Sequence, residues 1–156
     1  MVKKKLSRRN FIGKAAVGFA GVAMTMSAKS YSKIIGANDR INIGFLGCGA
    51  RGSDHQVMVK NSEKDKNLAV VAVCDIWKLN REKSAANLKK KFDTDVKQFQ
   101  YSEDMLKMNE LDGVMIATGD FQHAKLLAEV VKAGKDCYCE KPLSTDVEDA
   151  KLARSS

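Results

Sequence analysis

The stretch Ile41-Asn42-Ile43-Gly44-Phe45-Leu46-Gly47-Cys48-Gly49-Ala50-Arg51-Gly52 decides the fold. Its first half is a mainly apolar run with the length of a buried β-strand. Three glycines with the spacing G-x-G-x-x-G follow, and after them we predict a helix from about Arg51 to about Lys60. A strand, a glycine-rich turn and a helix in this order predict the first part of a βαβ unit.

The rest of the chain alternates short apolar runs with longer amphipathic stretches, which is typical of a parallel sheet covered by helices. The continuously apolar run Leu68–Cys74 predicts a second, central strand. Further strands are predicted at 96–99, 114–117 and 136–139, and further helices at 78–92, 103–108, 121–133 and up to residue 156. We therefore predict an α/β fold, a Rossmann-type doubly wound sheet with strand order 3-2-1-4-5.

Several helix ends carry residues that favour caps. Ser102 is the predicted N-cap of the helix at 103–108, and Ser144 or Thr145 that of the last helix. Gly134 is predicted to end the helix at 121–133 in the left-handed conformation.

The glycine turn predicts a phosphate site. Gly47 permits the tight turn, Gly49 lets a pyrophosphate approach the backbone, and Gly52 lets the helix pack closely on the strand. Free N–H groups at the helix start would bind the phosphates, with Arg51 adding charge from the rim. A glycine turn without a ligand is the alternative interpretation.

Asp75 ends the second strand, about 20 residues after the last glycine, where a dinucleotide fold places a carboxylate for the adenosine ribose hydroxyls. A carboxylate repels a 2′-phosphate, so NAD is predicted rather than NADP. Lys78 and Arg81 are near enough in sequence to leave NADP open. Asp75 would also suit a cap of the following helix, a role compatible with binding.

Three further segments carry a family resemblance, listed in chain order: Ala117-Thr118-Gly119-Asp120-Phe121-Gln122-His123, Ala133-Gly134-Lys135-Asp136 and Glu140-Lys141-Pro142-Leu143. They resemble motifs of the glucose-fructose oxidoreductase and inositol dehydrogenase (Gfo/Idh/MocA) family, and the resemblance covers essentially residues 40–154. One departure is Gly119, where the family has Pro.

The resemblance implies roles for the residues that match these motifs. Ala117 and Thr118 would belong to the nicotinamide-binding loop, and Glu140 would contact the nicotinamide ribose. Lys141 would lie beside the nicotinamide as part of the cofactor site, orient the substrate hydroxyl and assist proton transfer, aimed by a rigid or cis turn at Pro142. The two histidines, His55 and His123, are left with packing or structural roles.

The function implied by the resemblance is hydride transfer between NAD and a hydroxyl of a sugar or polyol. A second hypothesis is an exported family member that retains NAD and cleaves glycosidic bonds through transient oxidation. A third is a nucleotide-binding module without catalysis. It arises because the family's sixth strand and substrate domain would follow residue 156, and we expect both to be missing. A homo-oligomer is expected for a full-length protein.

The first 28 residues are predicted to be a bacterial export signal. They hold six basic residues and no acidic one, followed by a weakly apolar run. Ser7-Arg8-Arg9-Asn10-Phe11-Ile12 resembles the twin-arginine motif, which implies passage through that export machinery to the periplasm. An uncleaved anchor or a chance Arg pair is the alternative. We expect a signal at 1–28, a linker at 29–39 and the NAD-binding domain at 40–156.

The net charge of +8 does not predict a nucleic-acid partner, because most of the excess lies in this signal. The four cysteines lack metal-ligand spacing and are expected to be free and buried, with no metal site.

Overall fold

The computed structural model describes residues 40–156, so the predicted signal and linker lie outside the described residues. Five strands form one parallel sheet, namely β1 Ile41–Leu46, β2 Leu68–Cys74, β3 Lys97–Phe99, β4 Gly113–Ile116 and β5 Asp136–Cys139. The helices are α1 Ala50–Lys66, α2 Lys78–Phe92, α3 Ser102–Leu106, α4 His123–Lys132 and α5 Val147–Ser155. The sheet order is β3-β2-β1-β4-β5, which confirms the predicted order.

The core consists of two apolar layers, one on each face of the sheet. Phe45 and Leu46 are neighbours on β1, so their side chains point to opposite faces. Phe45 packs with Val73 and Leu88, whereas Leu46 packs with a larger cluster that includes Ile116. Coverage on both faces explains why β1 and β2 read as nearly continuous apolar runs.

The register of the parallel strands brings their carboxyl ends to one edge of the sheet. Leu46 pairs with Cys74 on one side and with Ile116 on the other, and Ile116 pairs with Cys139. The residues that follow these four strand ends therefore meet at the same edge, which is where α/β folds bind their ligands.

Three helices differ in extent from the prediction. α1 continues to Lys66 and ends at Asn67 in the left-handed conformation, because its polar second half contains no helix breaker. The short α3 ends at Leu106 instead of 108. The helix expected at 121–133 begins as a 3-10 turn, Asp120–Gln122, before α4. Gly134 follows α4 with a φ of +71°, which confirms its left-handed conformation.

Two predicted caps are wrong. The Ser102 hydroxyl donates to Glu129 instead of capping α3. Asp146 caps α5, where its carboxylate accepts the backbone N–H groups of Glu148 at 2.8 Å and Asp149 at 3.1 Å. The charged carboxylate also interacts favourably with the helix dipole, an advantage that the hydroxyls of the two preceding residues lack.

All four cysteines are free, and Cys48 and Cys74 are buried, while Cys137 and Cys139 are half-buried because β5 lies at the sheet edge. Burial raises the pKa of Cys48 to about 11 and that of Cys74 to about 12. Among residues 40–156, no three His, Cys, Asp or Glu side chains are grouped so as to hold a metal ion. No helix in this range has the length and apolar character needed to cross a bilayer.

Candidate functional site

Two of the three motif glycines are required by the protein's own backbone. Gly47 has a φ of +90°, and a Cβ there would lie 2.4 Å from the carbonyl oxygen of Ala117. A Cβ on Gly52 would lie 2.0 Å from the carbonyl oxygen of Gly47. No side chain fits at either position, because the turn, α1 and the end of β4 are packed backbone to backbone.

Gly49 is different, because nothing in the protein excludes a side chain there. Its φ is −69°, and a Cβ would meet no atom within 4 Å. Gly49 is also the N-cap residue of α1, so the N–H groups of the first helical turn have no partner within the helix. The open space in front of these donors fits the close approach of a phosphate group to the backbone.

Asp75 is held at the end of β2 by backbone donors. Its carboxylate accepts the N–H of Cys48 at 2.8 Å and the N–H of Trp77 at 2.9 Å. Nη1 of Arg81 donates a hydrogen bond to the carbonyl oxygen of Asp75 at 2.6 Å. The carboxylate thus joins the glycine turn to the segment before α2. Asp75 does not cap that helix, whose N-cap residue is Trp77 and carries no side-chain cap.

A cleft of about 480 Å³ opens at this edge of the sheet. Six of the predicted site residues line it, namely Gly47, Gly49, Arg51, Asp75, Ala117 and Thr118. Gly52, Glu140 and Lys141 do not line it. The cleft thus runs from the end of β2 across the glycine turn to the end of β4, the path of an extended dinucleotide in this fold.

Gly119, where the family has Pro, also lines the cleft. Its φ of −69° lies in the range of proline. A Cβ at this position would come within 2.9 Å of the Phe121 ring. The largely exposed Phe121 ring therefore occupies space beside Gly119 that a larger residue would need.

Glu140 is buried and turned toward α1. Its carboxylate lies 3.2 Å from Nη2 of Arg51 and 3.5 Å from Nε2 of His55. Burial raises the pKa of Glu140, but the hydrogen bond and charge of Arg51, with help from His55 and Lys141, bring the net pKa below its usual value. A negative charge is thus stabilised next to Arg51, which lines the cleft.

Lys141 is exposed at the turn after β5, and its peptide bond to Pro142 is cis, as the predicted rigid or cis turn allowed. Nδ1 of His123 lies 2.7 Å from the carbonyl oxygen of Pro142, and Nε2 lies 3.3 Å from that of Thr118. The structural role expected for His123 is therefore present.

The sequence interpretation missed the contact between His55 and Glu140. His55 comes four residues after Arg51, so both lie on one face of α1. That spacing was the available signal. The partner could not be read from it, because Glu140 is 85 residues further along the chain.

These features define a dinucleotide-binding α/β domain: the order of the strands in the sheet, the glycine turn, the carboxylate at the end of β2 and the cleft beside them. A family model described as "Oxidoreductase family, NAD-binding Rossmann fold" matches residues 41–154, and the chain belongs to this Gfo/Idh/MocA family.

Relatives of known name match this region, and one of the matches extends beyond it. The chain is 31% identical over 111 residues to inositol 2-dehydrogenase of Serratia proteamaculans (strain 568), covering 71% of this chain and 31% of that protein. It is 26% identical over 164 residues to a glycosyl hydrolase family 109 protein of Shewanella pealeana (strain ATCC 700345 / ANG-SQ1), covering 93% of this chain and 35% of that protein.

A similar solved structure is that of the WlbA dehydrogenase from Bordetella pertussis in complex with NADH and UDP-GlcNAcA. It superposes with a TM-score of 0.65 at 26% identity, covering 74% of this chain and 33% of that one. The chain thus spans about a third of the length of the curated relatives that it matches.

Proposed function

We propose that this chain is the NAD-binding part of an oxidoreductase that transfers hydride between NAD and a hydroxyl group of a sugar or polyol. The observation that carries the proposal is the open position at Gly49. The protein's own backbone requires Gly47 and Gly52, whereas the space in front of Gly49 is open to an approaching ligand.

Each residue at the cleft has a proposed role. The turn and the first N–H groups of α1 bind the pyrophosphate, with Arg51 at the rim. Asp75 accepts hydrogen bonds from the adenosine ribose and disfavours a 2′-phosphate. Ala117 and Thr118 then flank the nicotinamide half, since they lie at the other end of the cleft.

The chemistry is divided between the cofactor and two residues of the turn after β5. When bound, NAD supplies the hydride acceptor or donor. Lys141 is proposed to bind the substrate hydroxyl at Nζ and assist its proton transfer, which its exposure permits. Glu140 is proposed to contact the nicotinamide ribose from the end of β5, although its carboxylate pairs with Arg51 in this structure.

Calorimetric titration of the chain with NAD and with NADP tests the binding proposal directly. We expect NAD to bind with the higher affinity, because the carboxylate of Asp75 lies where a 2′-phosphate would be placed. Absence of NAD binding, or a clear preference for NADP, would contradict the proposal.

A second candidate function is glycosidic bond cleavage with retained NAD. The match to the glycosyl hydrolase family 109 protein covers 93% of the chain, more than residues 40–156 alone can supply, so it includes part of 1–39. The native protein should be assayed for polyol-dependent reduction of added NAD and for glycoside cleavage without added NAD. Net reduction supports the oxidoreductase, whereas cleavage alone supports the glycosidase.

We also propose that the protein is exported to the periplasm by the twin-arginine route. The proposal rests on Ser7-Arg8-Arg9-Asn10-Phe11-Ile12 and on the absence of acidic residues from 1–28. Export in a folded state is compatible with a cofactor that is bound before translocation.

A further inference from the structure

Two buried histidines contact the turn that carries Lys141 from different helices. His55 belongs to α1 and His123 begins α4, and each is only 1% exposed. Nε2 of His55 lies 3.5 Å from the carboxylate of Glu140, and Nδ1 of His123 lies 2.7 Å from the carbonyl oxygen of Pro142. The residue before Lys141 and the residue after it are thus each held by an imidazole ring.

The contacts of His55 indicate which of its nitrogens carries the proton. Its Nδ1 is buried and has no hydrogen-bond partner among the described residues. We assign the proton to Nε2, because a lone pair there would face the carboxylate of Glu140 while an N–H at Nδ1 would lack an acceptor. The Tyr138 ring, edge-on at 5.5 Å and 87°, fixes the plane of the imidazole.

His55 is also kept neutral by its surroundings. Burial lowers its pKa, and the nearby charge of Arg51 lowers it further, while Glu140 acts in the opposite direction. A neutral ring with its proton on Nε2 presents that N–H to the carboxylate of Glu140. At 3.5 Å the contact is longer than an ordinary hydrogen bond. It therefore contributes little binding energy and serves mainly to orient the Glu140 side chain.

His123 joins the same turn to the cleft. Its Nε2 lies 3.3 Å from the carbonyl oxygen of Thr118, which lines the cleft at the end of β4. A neutral ring donates from one nitrogen only, and the shorter contact identifies Nδ1 as the donor to Pro142. Nε2 then packs against the carbonyl oxygen of Thr118 without donating a hydrogen bond. One side chain thus spans the gap between the loop after β4 and the turn after β5.

We propose that His55 and His123 are positioning residues that together hold the Lys141 turn against the nicotinamide end of the cleft. The inference rests on the proposed binding of NAD. Arg51 and Thr118 line the cleft and connect it to the two histidines, whereas Asp75 lies beyond the glycine turn and touches neither of them. Loss of either histidine should therefore disturb the nicotinamide half of the ligand and spare the adenosine half.

Titration of the whole chain with NAD and with AMP separates these two halves, because AMP lacks the nicotinamide and the ribose and phosphate attached to it. His55→Phe and His123→Phe keep the ring volume but remove both nitrogens. We expect each to lower the affinity for NAD about tenfold and to leave that for AMP unchanged. His55→Gln brings an amide nitrogen near the position of Nε2, and His123→Asn brings one near Nδ1, so both should recover most of the loss.

The outcomes are distinguishable. If AMP and NAD bind and the Phe variants change neither affinity, the histidines do not position the turn and the inference is overturned. Equal losses for both ligands in the Phe and the amide variants would assign the histidines to general stability, which also overturns it. If neither ligand binds the unaltered chain, the proposed function itself fails, and the inference fails with it.

Discussion

Substitutions at single glycines of the turn should distinguish a residue needed for folding from a residue needed for ligand binding. Gly49→Ala would place its Cβ in open space at a φ that alanine adopts freely. We expect the free energy of unfolding to change by less than about 0.5 kcal/mol. We also expect the affinity for NAD to fall at least about tenfold, because the methyl group would occupy the space of the pyrophosphate. Thermal unfolding and calorimetry measure the two quantities.

Gly52→Ala is the matched control for this prediction. Its Cβ would lie 2.0 Å from the carbonyl oxygen of Gly47, so the backbone must move. We expect a loss of about 3 kcal/mol in the free energy of unfolding. Unchanged NAD binding by Gly49→Ala would show that no ligand group approaches the backbone at that position.

The charge of Asp75 is predicted to set the preference between the two cofactors. Asp75→Asn keeps the size of the side chain but removes the negative charge that repels a 2′-phosphate. We expect the ratio of the NADP and NAD dissociation constants to fall about tenfold. Asp120→Asn removes a charge that does not line the cleft and should leave the ratio unchanged. An unaltered ratio in Asp75→Asn would mean that another group selects the cofactor.

At the scale of elements, Asp146 is predicted to stabilise the last helix. Its carboxylate accepts two backbone N–H groups at the start of α5, so Asp146→Ala should cost about 1 kcal/mol in the free energy of unfolding. Thr145→Ala removes the neighbouring hydroxyl and should change that free energy by less than about 0.5 kcal/mol. Chemical denaturation of both variants is the measurement, and equal losses would argue against the assigned cap.

The packing of α1 against the end of β5 is predicted to depend on pH. Because the pKa of buried His55 is lowered by desolvation and by Arg51, the unfolded chain binds a proton more readily than the folded protein. The free energy of unfolding should therefore fall as pH drops through about 6.5, the ordinary pKa of histidine. The pKa of Glu140 is lowered as well, so its contribution is lost only on further acidification, below its usual value.

Thermal unfolding between pH 7.5 and pH 5.5 tests this dependence. The midpoint of the unaltered chain should decrease over this range, and His55→Phe should show a shallower decrease because the titrating ring is gone. Equal slopes for the two proteins would contradict the assignment to His55.

At the scale of the whole molecule, export is predicted to require the arginine pair. A double variant that combines Arg8→Lys with Arg9→Lys keeps the charge of the amino-terminal segment but removes the twin-arginine pattern. We expect the double variant to accumulate in the cytoplasmic fraction, and the unaltered protein in the periplasmic fraction. Lys3→Arg retains the pattern and serves as control. Equal distribution of all three would contradict the proposed route.

The fold and much of the cleft followed from local patterns in the sequence. Apolar runs such as Leu68–Cys74, the glycine spacing after Leu46 and the carboxylate of Asp75 each depend on residues close together in the chain. The rule that the ends of parallel strands meet at one edge then brought these residues together. Strand order and six of the cleft-lining residues could therefore be predicted from the sequence, whereas the residues after β3 that also line the cleft were not predicted.

The helix caps and the environment of the Lys141 turn were decided by tertiary structure. Ser102 has the side chain of a cap, but its hydroxyl donates a hydrogen bond to Glu129, 27 residues away. Glu140 is buried against Arg51 and His55 because β5 ends beside α1, a contact between segments more than 80 residues apart. Local patterns record which face of an element is apolar. They do not predict which distant polar group will form a hydrogen bond or ion pair with a buried polar side chain, because that partner depends on how the elements pack.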